Sequence, residues 1–420
     1  MTDWSLLMKK YVLVGCGMRG VLSYAVPMVK EFSDCAELVG VYDPNKGRMK
    51  LVSELCEKEI PAFDDFDTML DETKPDAVIV TPRDCDHAEY VIRAMKKGYD
   101  VIVEKALTTT FENAVAIRET QKETGKNLTV TFNLRYHPLY KRLKELIASG
   151  VVGKVLSVHF EWLLNTNHGA DYFRRWHSRR ECSGSLLVHK STHHFDIINW
   201  LLEEKPVRVN AFGTLRFYGP NREMRGERCL TCPHKKKCRF YVDIEADDEL
   251  REFYYKNESE DGYIRDRCVF SEEINIEDSV AVNVQYDGGA IMNYSLTAHS
   301  PYEGCRLVIN GTDGRLEATE RKDQIVDYKE VSAQEVTIFN RRGEKIRMES
   351  PLGNDGEGHG GADEMIRESL FREKSKDPIG QNANAEAGLM SIAIGMAANI
   401  SMAEKRQVSI GEFFTELKDN

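Results

Sequence analysis

The chain has 420 residues, of which 41% are hydrophobic and 30% are charged, and its formal net charge at pH 7 is −11. This length exceeds one ordinary hydrophobic core, so we expect two soluble globular domains. The acidic balance argues against a general binder of nucleic acid or of membrane surfaces, because either would carry a basic excess. We find no apolar run approaching the roughly 20 residues that a membrane span requires, so no membrane contact is expected.

The N-terminus runs from MTDWSLLMKK straight into a strand pattern, without the charged region and cleavage site of a secretory signal. We therefore expect a cytoplasmic protein. Its ten cysteines should be reduced thiols, available as metal ligands rather than as disulfides.

Short apolar strands alternate with amphipathic helices up to about residue 130. Strands are predicted at 10–15, 37–42, 76–81, 100–104 and 127–132, and helices after Gly20, Asn45, Phe66, His87 and Phe111. Such alternation is typical of an α/β protein with a doubly wound, mostly parallel sheet.

A glycine-rich turn, GCGMRG at 15–20, follows the first strand and opens the first helix. Gly15 would make the tight turn, Gly17 would let the backbone approach a pyrophosphate, and Gly20 would permit close packing of helix on strand. Met18 and Arg19 complete this loop at a helix N-terminus, where free N–H groups favour a negative charge. We therefore predict a dinucleotide-binding Rossmann domain over residues 1–132.

Asp43 ends the second strand, where a carboxylate can accept both hydroxyls of an adenosine ribose. This position favours NAD over NADP, because a 2′-phosphate would meet a like charge. Lys46 and Arg48 are close enough in sequence to weaken the preference.

The pattern changes in residues 133–420, which we predict to be a second, α+β domain. Longer alternating strands, KVLSVHFEWLL and SVAVNVQYDGGAIMNYSLTA, indicate a large, open and mostly antiparallel sheet, with a hairpin turn at Asp287-Gly288-Gly289. A late apolar helix is predicted over 384–403. A charged, aromatic and cysteine-bearing stretch at about 217–275 looks like an insertion, polar and with little core of its own.

The sequence resembles the Gfo/Idh/MocA family of glucose–fructose oxidoreductases and inositol dehydrogenases over nearly its whole length. The segments that carry the resemblance are GCGMRG at 15–20, TPRDCDHAEYVIRAMKKGYDVIVEKALTTT at 81–110, FNLRYHPLYKRLKELIASGVVGKVLSV at 132–158, SGSLLVHKSTHHFDIINWL at 183–201, YEGCRLVINGTDGRLE at 302–317 and GHGGAD at 358–363. The resemblance implies hydride transfer between NAD(P) and a sugar, polyol or related alcohol. It also implies a homo-oligomer, a dimer or tetramer, formed through the open sheet.

Glu104-Lys105-Ala106 matches the family's Glu-Lys-Pro motif, with alanine in place of proline. In the family this lysine reaches both cofactor and substrate hydroxyl. Hydride leaves carbon only as the hydroxyl proton leaves, so an amine within hydrogen-bond reach must accept or relay that proton. Lys105 is therefore the first predicted catalytic residue, and Glu104 is assigned to the cofactor site.

Two histidines, His189 and His193, lie four residues apart on a helix predicted to begin near Ser185. His193 matches the family's catalytic or substrate-binding histidine. His189 falls where many members carry aspartate, and imidazole keeps the ability to relay a proton near neutral pH. We predict both as catalytic and His189 also as substrate-binding. Histidines that only pack the helix are one alternative. Zinc binding by the pair is another, disfavoured because the glutamate of HExxH is absent.

Further site residues follow from the same resemblance. The predicted cofactor contacts are Thr81, Pro82, His87 and Asn133, and the predicted substrate contacts are Arg135, Tyr136, Arg175, Trp176 and His177. An aromatic ring flanked by cations suits a sugar ring and its hydroxyls, although each of these residues is equally compatible with an ordinary loop.

Four cysteines of the insertion, Cys229, Cys232, Cys238 and Cys268, begin with the C-x2-C spacing of a zinc site. A structural zinc bound by their thiolates would help a polar insertion fold, with His234 as a substitute ligand. Iron–sulfur is disfavoured, because a hydride enzyme needs no one-electron relay. Reduced, unliganded cysteines in a loop remain the alternative.

These observations predict an NAD-dependent dehydrogenase with a carbohydrate or cyclic polyol as its small-molecule substrate. Two rivals stay open. One is a glycosidase that oxidises a sugar transiently on tightly held NAD and returns the hydride. The other is a non-enzymatic protein that senses the cofactor or binds a partner.

Overall fold

The computed structural model describes residues 8–326, 329–349, 358–372 and 377–414. The strands are β1 (Lys9–Val14), β2 (Ala36–Tyr42), β3 (Ala77–Val80), β4 (Asp100–Val103), β5 (Leu128–Val130), β6 (Val155–Asn165), β7 (Pro206–Thr214), β8 (Ser279–Tyr286), β9 (Ile291–Ser300), β10 (Glu303–Gly311), β11 (Gly314–Val326), β12 (Lys329–Asn340), β13 (Lys345–Glu349), β14 (Ala383–Asn384) and β15 (Val408–Ser409). The helices are α1 (Met18–Gly20), α2 (Val26–Glu31), α3 (Lys46–Cys56), α4 (Phe66–Thr73), α5 (His87–Lys96), α6 (Phe111–Thr124), α7 (Pro138–Ala148), α8 (Thr166–Arg174), α9 (Arg180–Ser183), α10 (Leu186–His189), α11 (Ser191–Leu202), α12 (Asp248–Phe253), α13 (Glu258–Asp261), α14 (Ala362–Phe371) and α15 (Ala385–Glu404).

The first sheet has the order β14-β5-β4-β3-β1-β2, and β1 to β5 run parallel. All four residues of β3 are buried, as expected for a strand covered by helices on both faces. Three of the predicted helix starts have side-chain caps, supplied by Asn45, Asp65 and Thr110. The side chain of Asn45, for example, accepts the N–H of Arg48. The predicted Rossmann-type parallel sheet is confirmed. The predicted second domain adds one short strand, because β14 pairs antiparallel with β5.

The second sheet has the order β13-β12-β11-β10-β6-β9-β8-β7-β15. Only β6 and β9 pair in parallel among its described pairs, so the predicted mostly antiparallel sheet is confirmed. The hairpin between β8 and β9 turns at Gly289, whose φ of +94° suits glycine. One face of the sheet packs on helices, since α15 lies against β7 and α11.

The late helix α15 qualifies the prediction that no segment approaches a membrane span. Among the described residues, Ala385–Glu404 is the one helix long and apolar enough to cross a bilayer. In the structure 72% of its most apolar window is buried inside the protein. Its apolar residues therefore have an interior to pack against.

The stretch between β7 and β8 buries apolar side chains, most of them in cores that it shares with the rest of the protein. The side chains of Phe240, Ile244, Phe253 and Phe270 are all buried there. Several charges of this segment also pair with one another, as Arg228 does with Asp266 and Glu258 at 2.7 and 2.9 Å. Aromatic burial and internal ion pairs are thus available to hold this segment without a metal.

A buried ion pair joins the segment after β5 to helix α11. The guanidinium of Arg135 donates to both carboxylate oxygens of Asp196, at 2.8 and 2.7 Å, and to the carbonyl of Gly380 at 2.9 Å. Asp196 is 1% exposed. A buried cation that loses its partner is left with its desolvation penalty uncompensated.

We therefore predict that Asp196→Asn lowers the free energy of unfolding by about 3 kcal/mol, because it strands the charge of Arg135. Urea unfolding followed by circular dichroism measures the change. The matched control is Asp67→Asn, which removes one partner of the partly exposed Arg93 and should change stability by less than about 1 kcal/mol. Equal effects of the two substitutions would contradict a structural role for the Arg135–Asp196 pair.

Candidate functional site

The glycine-rich turn after β1 has the geometry that its sequence predicts. Gly15 has a φ of +89°, and a Cβ there would lie 2.5 Å from the backbone nitrogen of Pro82. A Cβ on Gly20 would lie 2.3 Å from the carbonyl oxygen of Gly15, so the helix packs on the strand too closely for alanine. At Gly17 the nearest atom to such a Cβ is the Tyr254 hydroxyl at 3.9 Å. Gly15, Gly17 and Met18 line a cavity at the N-terminus of α1, the position at which a pyrophosphate binds in Rossmann folds.

Asp43 lies at the end of β2 on a cavity of about 270 Å³ that also reaches Gly15, Gly17 and Met18. Its carboxylate accepts the backbone N–H of Cys16 at 2.7 Å and that of Asn45 at 2.8 Å. Arg48 donates to the same carboxylate at 3.1 Å. The carboxylate is therefore fixed in place beside the cavity, as a ribose-binding aspartate must be.

The segment between β7 and β8 forms the outer wall of this cavity. Tyr254, Asp261 and Tyr263 line it. The Tyr254 hydroxyl accepts the N–H of Met18 at 3.4 Å, and Asp261 pairs with Arg48. The insertion therefore covers the part of the cavity nearest the glycine-rich turn and Asp43.

Arg19 connects three parts of the chain beneath the cavity. Its Nε donates to Glu104 at 2.7 Å, and its two terminal nitrogens donate to Asp363 at 3.1 and 3.0 Å. Asn133 donates to Asp363 at 2.8 Å, and the Tyr24 hydroxyl donates to Glu104 at 2.6 Å. This network fixes the end of β4, and with it the backbone of the lysine that follows Glu104.

A second cavity, of about 200 Å³, shares Arg19, Thr81, Pro82, Arg175 and Trp176 with the first. Its walls bring together three polar side chains from distant positions, Lys105, His189 and Asp84. The Lys105 amine lies 3.2 Å from the carbonyl oxygen of His189 and 3.4 Å from its Nε2. The other ring nitrogen, Nδ1, lies 2.6 Å from the carboxylate of Asp84.

Burial shifts the pKa values of the three groups in this chain of contacts. Burial and the charge of Lys105 hold the pKa of His189 well below its usual range, so the imidazole is neutral near pH 7. A neutral ring that donates Nδ1–H to Asp84 presents Nε2 to Lys105 as an acceptor. Burial likewise lowers the pKa of Lys105, an effect that Asp84 and Glu104 oppose. Burial raises the pKa of Asp84, and Lys105 opposes that shift.

His193 lines the same cavity from the next helix. The predicted single helix is interrupted at Lys190, so His189 ends α10 while His193 lies on α11. Both rings still face one space, because the interruption lasts a single residue. His193 and Lys190 also line a third cavity of about 310 Å³, which continues away from the dinucleotide side.

An aromatic cluster closes the cavity opposite Lys105. The rings of Trp176 and His177 stack with centroids 3.7 Å apart, and His177 lies 4.1 Å from the ring of His189. Burial, reinforced by Arg175, lowers the pKa of His177 well below its usual range. Arg175 itself donates to Asp171 at 3.1 Å.

Two predicted substrate residues lie away from these cavities. Arg135 is held by Asp196, and the Tyr136 hydroxyl donates to Ser369 and Asn382 at 3.0 and 2.7 Å. Neither lines a cavity described above. The resemblance placed them correctly after β5, but their side chains turn towards the later helices instead of the substrate space.

His87 has a structural environment beside the cavity. Its Nδ1 lies 2.7 Å from the carbonyl oxygen of Ala106 and its Nε2 lies 3.3 Å from that of Pro82. The ring is fully buried. It therefore ties the backbone after Lys105 to the turn after β3.

The zinc prediction is not supported. The four cysteines line one small cavity of about 20 Å³, yet no group of three or more His, Cys, Asp or Glu side chains is placed to hold a metal among the residues that the structure describes. Arg174 donates to the sulfur of Cys229 at 3.4 Å, and burial raises the pKa of that thiol.

Several cavity residues escaped the sequence analysis. Asp84 stands in TPRDCDH, where its acidic side chain was visible but its distant partner was not. His168, Tyr172, Tyr254 and Tyr263 line the cavities from elements that carry no recognisable motif. Lys190 also lines a cavity, although it stands between the two predicted histidines in the segment 183–201 and was not assigned to the site. Only the three-dimensional arrangement brings these residues together.

A parallel Rossmann sheet with a glycine-rich turn, joined to an α/β domain, defines an NAD-binding oxidoreductase. Residues 9–132 match the model described as "Oxidoreductase family, NAD-binding Rossmann fold", and residues 144–410 match "Oxidoreductase family, C-terminal alpha/beta domain". The chain therefore belongs to the Gfo/Idh/MocA oxidoreductase family.

The chain is similar to the following three proteins. The chain is 37% identical to the Bacillus subtilis protein named "Putative oxidoreductase YteT", over 97% of this chain and 99% of that one. It is 30% identical to scyllo-inositol 2-dehydrogenase (NAD(+)) of Bacillus subtilis, over 43% of this chain and 50% of that one. Its fold matches that of an Agrobacterium radiobacter oxidoreductase in complex with NAD+, L-tartaric acid and magnesium. The TM-score is 0.65 at 18% identity, over 96% of this chain and 99% of that one.

We predict that Asp43→Asn weakens NADH binding by roughly tenfold or more, because a charge-assisted hydrogen bond to a ribose hydroxyl is lost. Titration of NADH fluorescence measures the affinity. Asp64→Asn is the matched control, since Asp64 is exposed and pairs with Lys46. If the control weakens binding as much as Asp43→Asn, the ribose role of Asp43 is wrong.

Proposed function

We propose that this protein is an NAD-dependent oxidoreductase that transfers hydride between the nicotinamide and a hydroxyl-bearing carbon of a sugar, a sugar derivative or a cyclic polyol. The observation that carries the proposal is the contact chain from Lys105 through His189 to Asp84, in a cavity that adjoins the dinucleotide cavity. Lys105, His189 and His193 are the proposed catalytic residues.

The residues present fit NAD. The glycine turn leaves space at a helix N-terminus, and the Asp43 carboxylate lies where it would repel a 2′-phosphate. NADP is the less favoured cofactor, although Arg48 offsets part of that repulsion. When bound, NAD would accept or supply the hydride. Thr81, Pro82, Glu104 and Asn133 adjoin the nicotinamide side of the proposed site.

Lys105 handles the hydroxyl proton in this proposal. Its lowered pKa increases the fraction of neutral amine that can accept a proton from a substrate hydroxyl near neutral pH. His189 presents Nε2 to the ammonium so formed, and Asp84 stabilises the ring that takes up the charge. This arrangement supplies a carboxylate to a site in which His189 replaces the usual aspartate.

The substrate space is polar on one side and aromatic on the other. His193, Lys190 and Arg175 offer hydrogen-bond donors, and Trp176 offers an indole edge and face. Hydroxyl-rich rings combine these two requirements, polar groups around the rim and C–H surfaces on the faces. A small carbohydrate or cyclic polyol is therefore the proposed substrate class.

The proposal starts from the family to which the chain belongs, and the relatives support the proposed substrate class. One relative is named as a scyllo-inositol dehydrogenase that uses NAD, which fits a polyol substrate here. We further propose a Rossmann domain at 1–132 and a second domain at 133–420. A cytoplasmic homo-oligomer is part of the same proposal, and its open sheet is the surface for pairing.

We predict that Lys105→Met reduces turnover of an active sugar or polyol by about a thousandfold, because general base catalysis is lost, while NADH binding is retained. The measurement combines NADH formation with a fluorescence titration. Lys50→Met is the control, since Lys50 is exposed on α3. Full turnover by Lys105→Met would exclude both the dehydrogenase and the glycosidase that works by transient oxidation.

The pH dependence gives a separate prediction. Oxidation needs the neutral amine, so its rate should rise with pH through the pKa of Lys105. Asp84 raises that pKa, so Asp84→Asn should move the rising limb of kcat/KM to lower pH by about one unit. Glu89→Gln, which removes a carboxylate paired with Arg93 on the surface, should leave the limb in place. A shift to higher pH in Asp84→Asn would contradict the assignment.

A further inference from the structure

Two cysteines meet at the edge of the proposed active site, one from each side. Cys85 lies in the turn between β3 and α5, one residue after Asp84. Cys182 lies on α9, three residues before Ser185, whose side chain caps α10. Helix α9 packs against the turn that carries Cys85, and this packing makes the two thiols neighbours. Both cysteines are partly exposed.

The pair is chemically asymmetric. The Cys85 thiol donates to the carboxylate of Asp86 at 3.5 Å, so Cys85 is held in its protonated form. Contact with Cys182, burial and the charge of Asp86 raise the pKa of Cys85, whereas the neighbouring Cys85 and the charge of Arg83 lower the pKa of Cys182 to about 7. Cys182 is thus the thiol that ionises first, with a protonated thiol beside it, which is the arrangement of an attacking and a resolving cysteine.

Four other cysteines of the chain lack this combination of exposure and reactivity. Cys16 is completely buried, and burial raises its pKa well above the usual value. Cys35, Cys56 and Cys305 are also buried, and burial raises the pKa of each. Buried thiols with raised pKa values react slowly with oxidants.

We propose that Cys85 and Cys182 form a redox-responsive dithiol that closes to a disulfide across the active-site edge and slows turnover. Disulfides in a reducing compartment are transient and are used for sensing, so this pair suits a reversible response. The oxidant is of the class of low-molecular-weight disulfides.

The chemistry proceeds in two exchanges. The Cys182 thiolate attacks one sulfur of the small disulfide, forming a mixed disulfide and releasing one small thiolate. Cys85 then loses its proton to solvent and attacks the Cys182 sulfur, releasing the second small thiolate. Two protein thiols are oxidised to one disulfide, and one small disulfide is reduced to two thiols.

The location of the bond explains the proposed effect. Asp84 precedes Cys85 and holds His189 at 2.6 Å, while Cys182 precedes the helix on which His189 lies. A covalent bond here fixes the turn after β3 to α9 at one spacing. Entry of substrate and release of product through the adjoining cavity then have less freedom to displace these walls.

The test treats the full-length protein with oxidised glutathione at pH 7 and follows intact mass, peptide mapping and turnover. We expect the loss of two hydrogen atoms, a cross-linked peptide containing Cys85 and Cys182, and turnover reduced about tenfold and restored by dithiothreitol. Cys85→Ser should instead keep one glutathione on Cys182. Cys232→Ser is the matched control, since this partly exposed thiol lies in the insertion, and it should respond as the parent protein does.

A disulfide that maps to other cysteines would overturn the proposal, as would a loss of turnover on oxidation that is retained in Cys85→Ser. So would formation of the Cys85–Cys182 bond without any change in turnover.

If the serine variants fail to fold, alkylation of the unmodified protein tests the proposed reactivity of Cys182. At pH 7 we expect iodoacetamide to label Cys182 about tenfold faster than Cys232, and equal rates would contradict the proposed reactivity. The mapping and labelling do not depend on the proposed substrate class, so a failure of the proposed function is distinguishable.

Discussion

The contact of Asp84 with His189, at 2.6 Å, is the interaction on which the proposed site depends. It joins the turn after a Rossmann strand to a helix of the second part of the chain. The same imidazole faces the amine of Lys105, whose backbone follows the Glu104 that Arg19 and Tyr24 hold. A neutral histidine between a carboxylate and an amine is a direct route for a proton, and burial of the histidine and the carboxylate shields that route from bulk water.

Much of the fold follows from local sequence signals. Period-two alternation, Asn45 as a helix cap and the turn at Gly289 act within a few residues, so the sheets and most helices could be predicted. The glycine turn and Asp43 were equally predictable, because the spacing of their motif encodes the geometry. The interruption at Lys190 was not, since its backbone differs little from that of a continuous helix.

The site was only partly predictable because its contacts span long sequence separations. No local sequence signal indicates that Arg135 is paired with Asp196, or that the Asp84 carboxylate contacts the ring of His189. The role of the insertion was also only partly predictable from the sequence. Its cysteine spacing suggested a metal, but the sequence could not reveal that Tyr254 and Asp261 extend over the dinucleotide cavity.

The most direct test of the central claim follows the hydrogen itself. The protein would be incubated with NAD and a panel of sugars and cyclic polyols deuterated on carbon, and the dinucleotide analysed by mass spectrometry. The account predicts reduced dinucleotide that carries deuterium with at least one compound of this class. Bound dinucleotide that remains unlabelled with every compound of the panel, under conditions where NAD binding is measured, would contradict it.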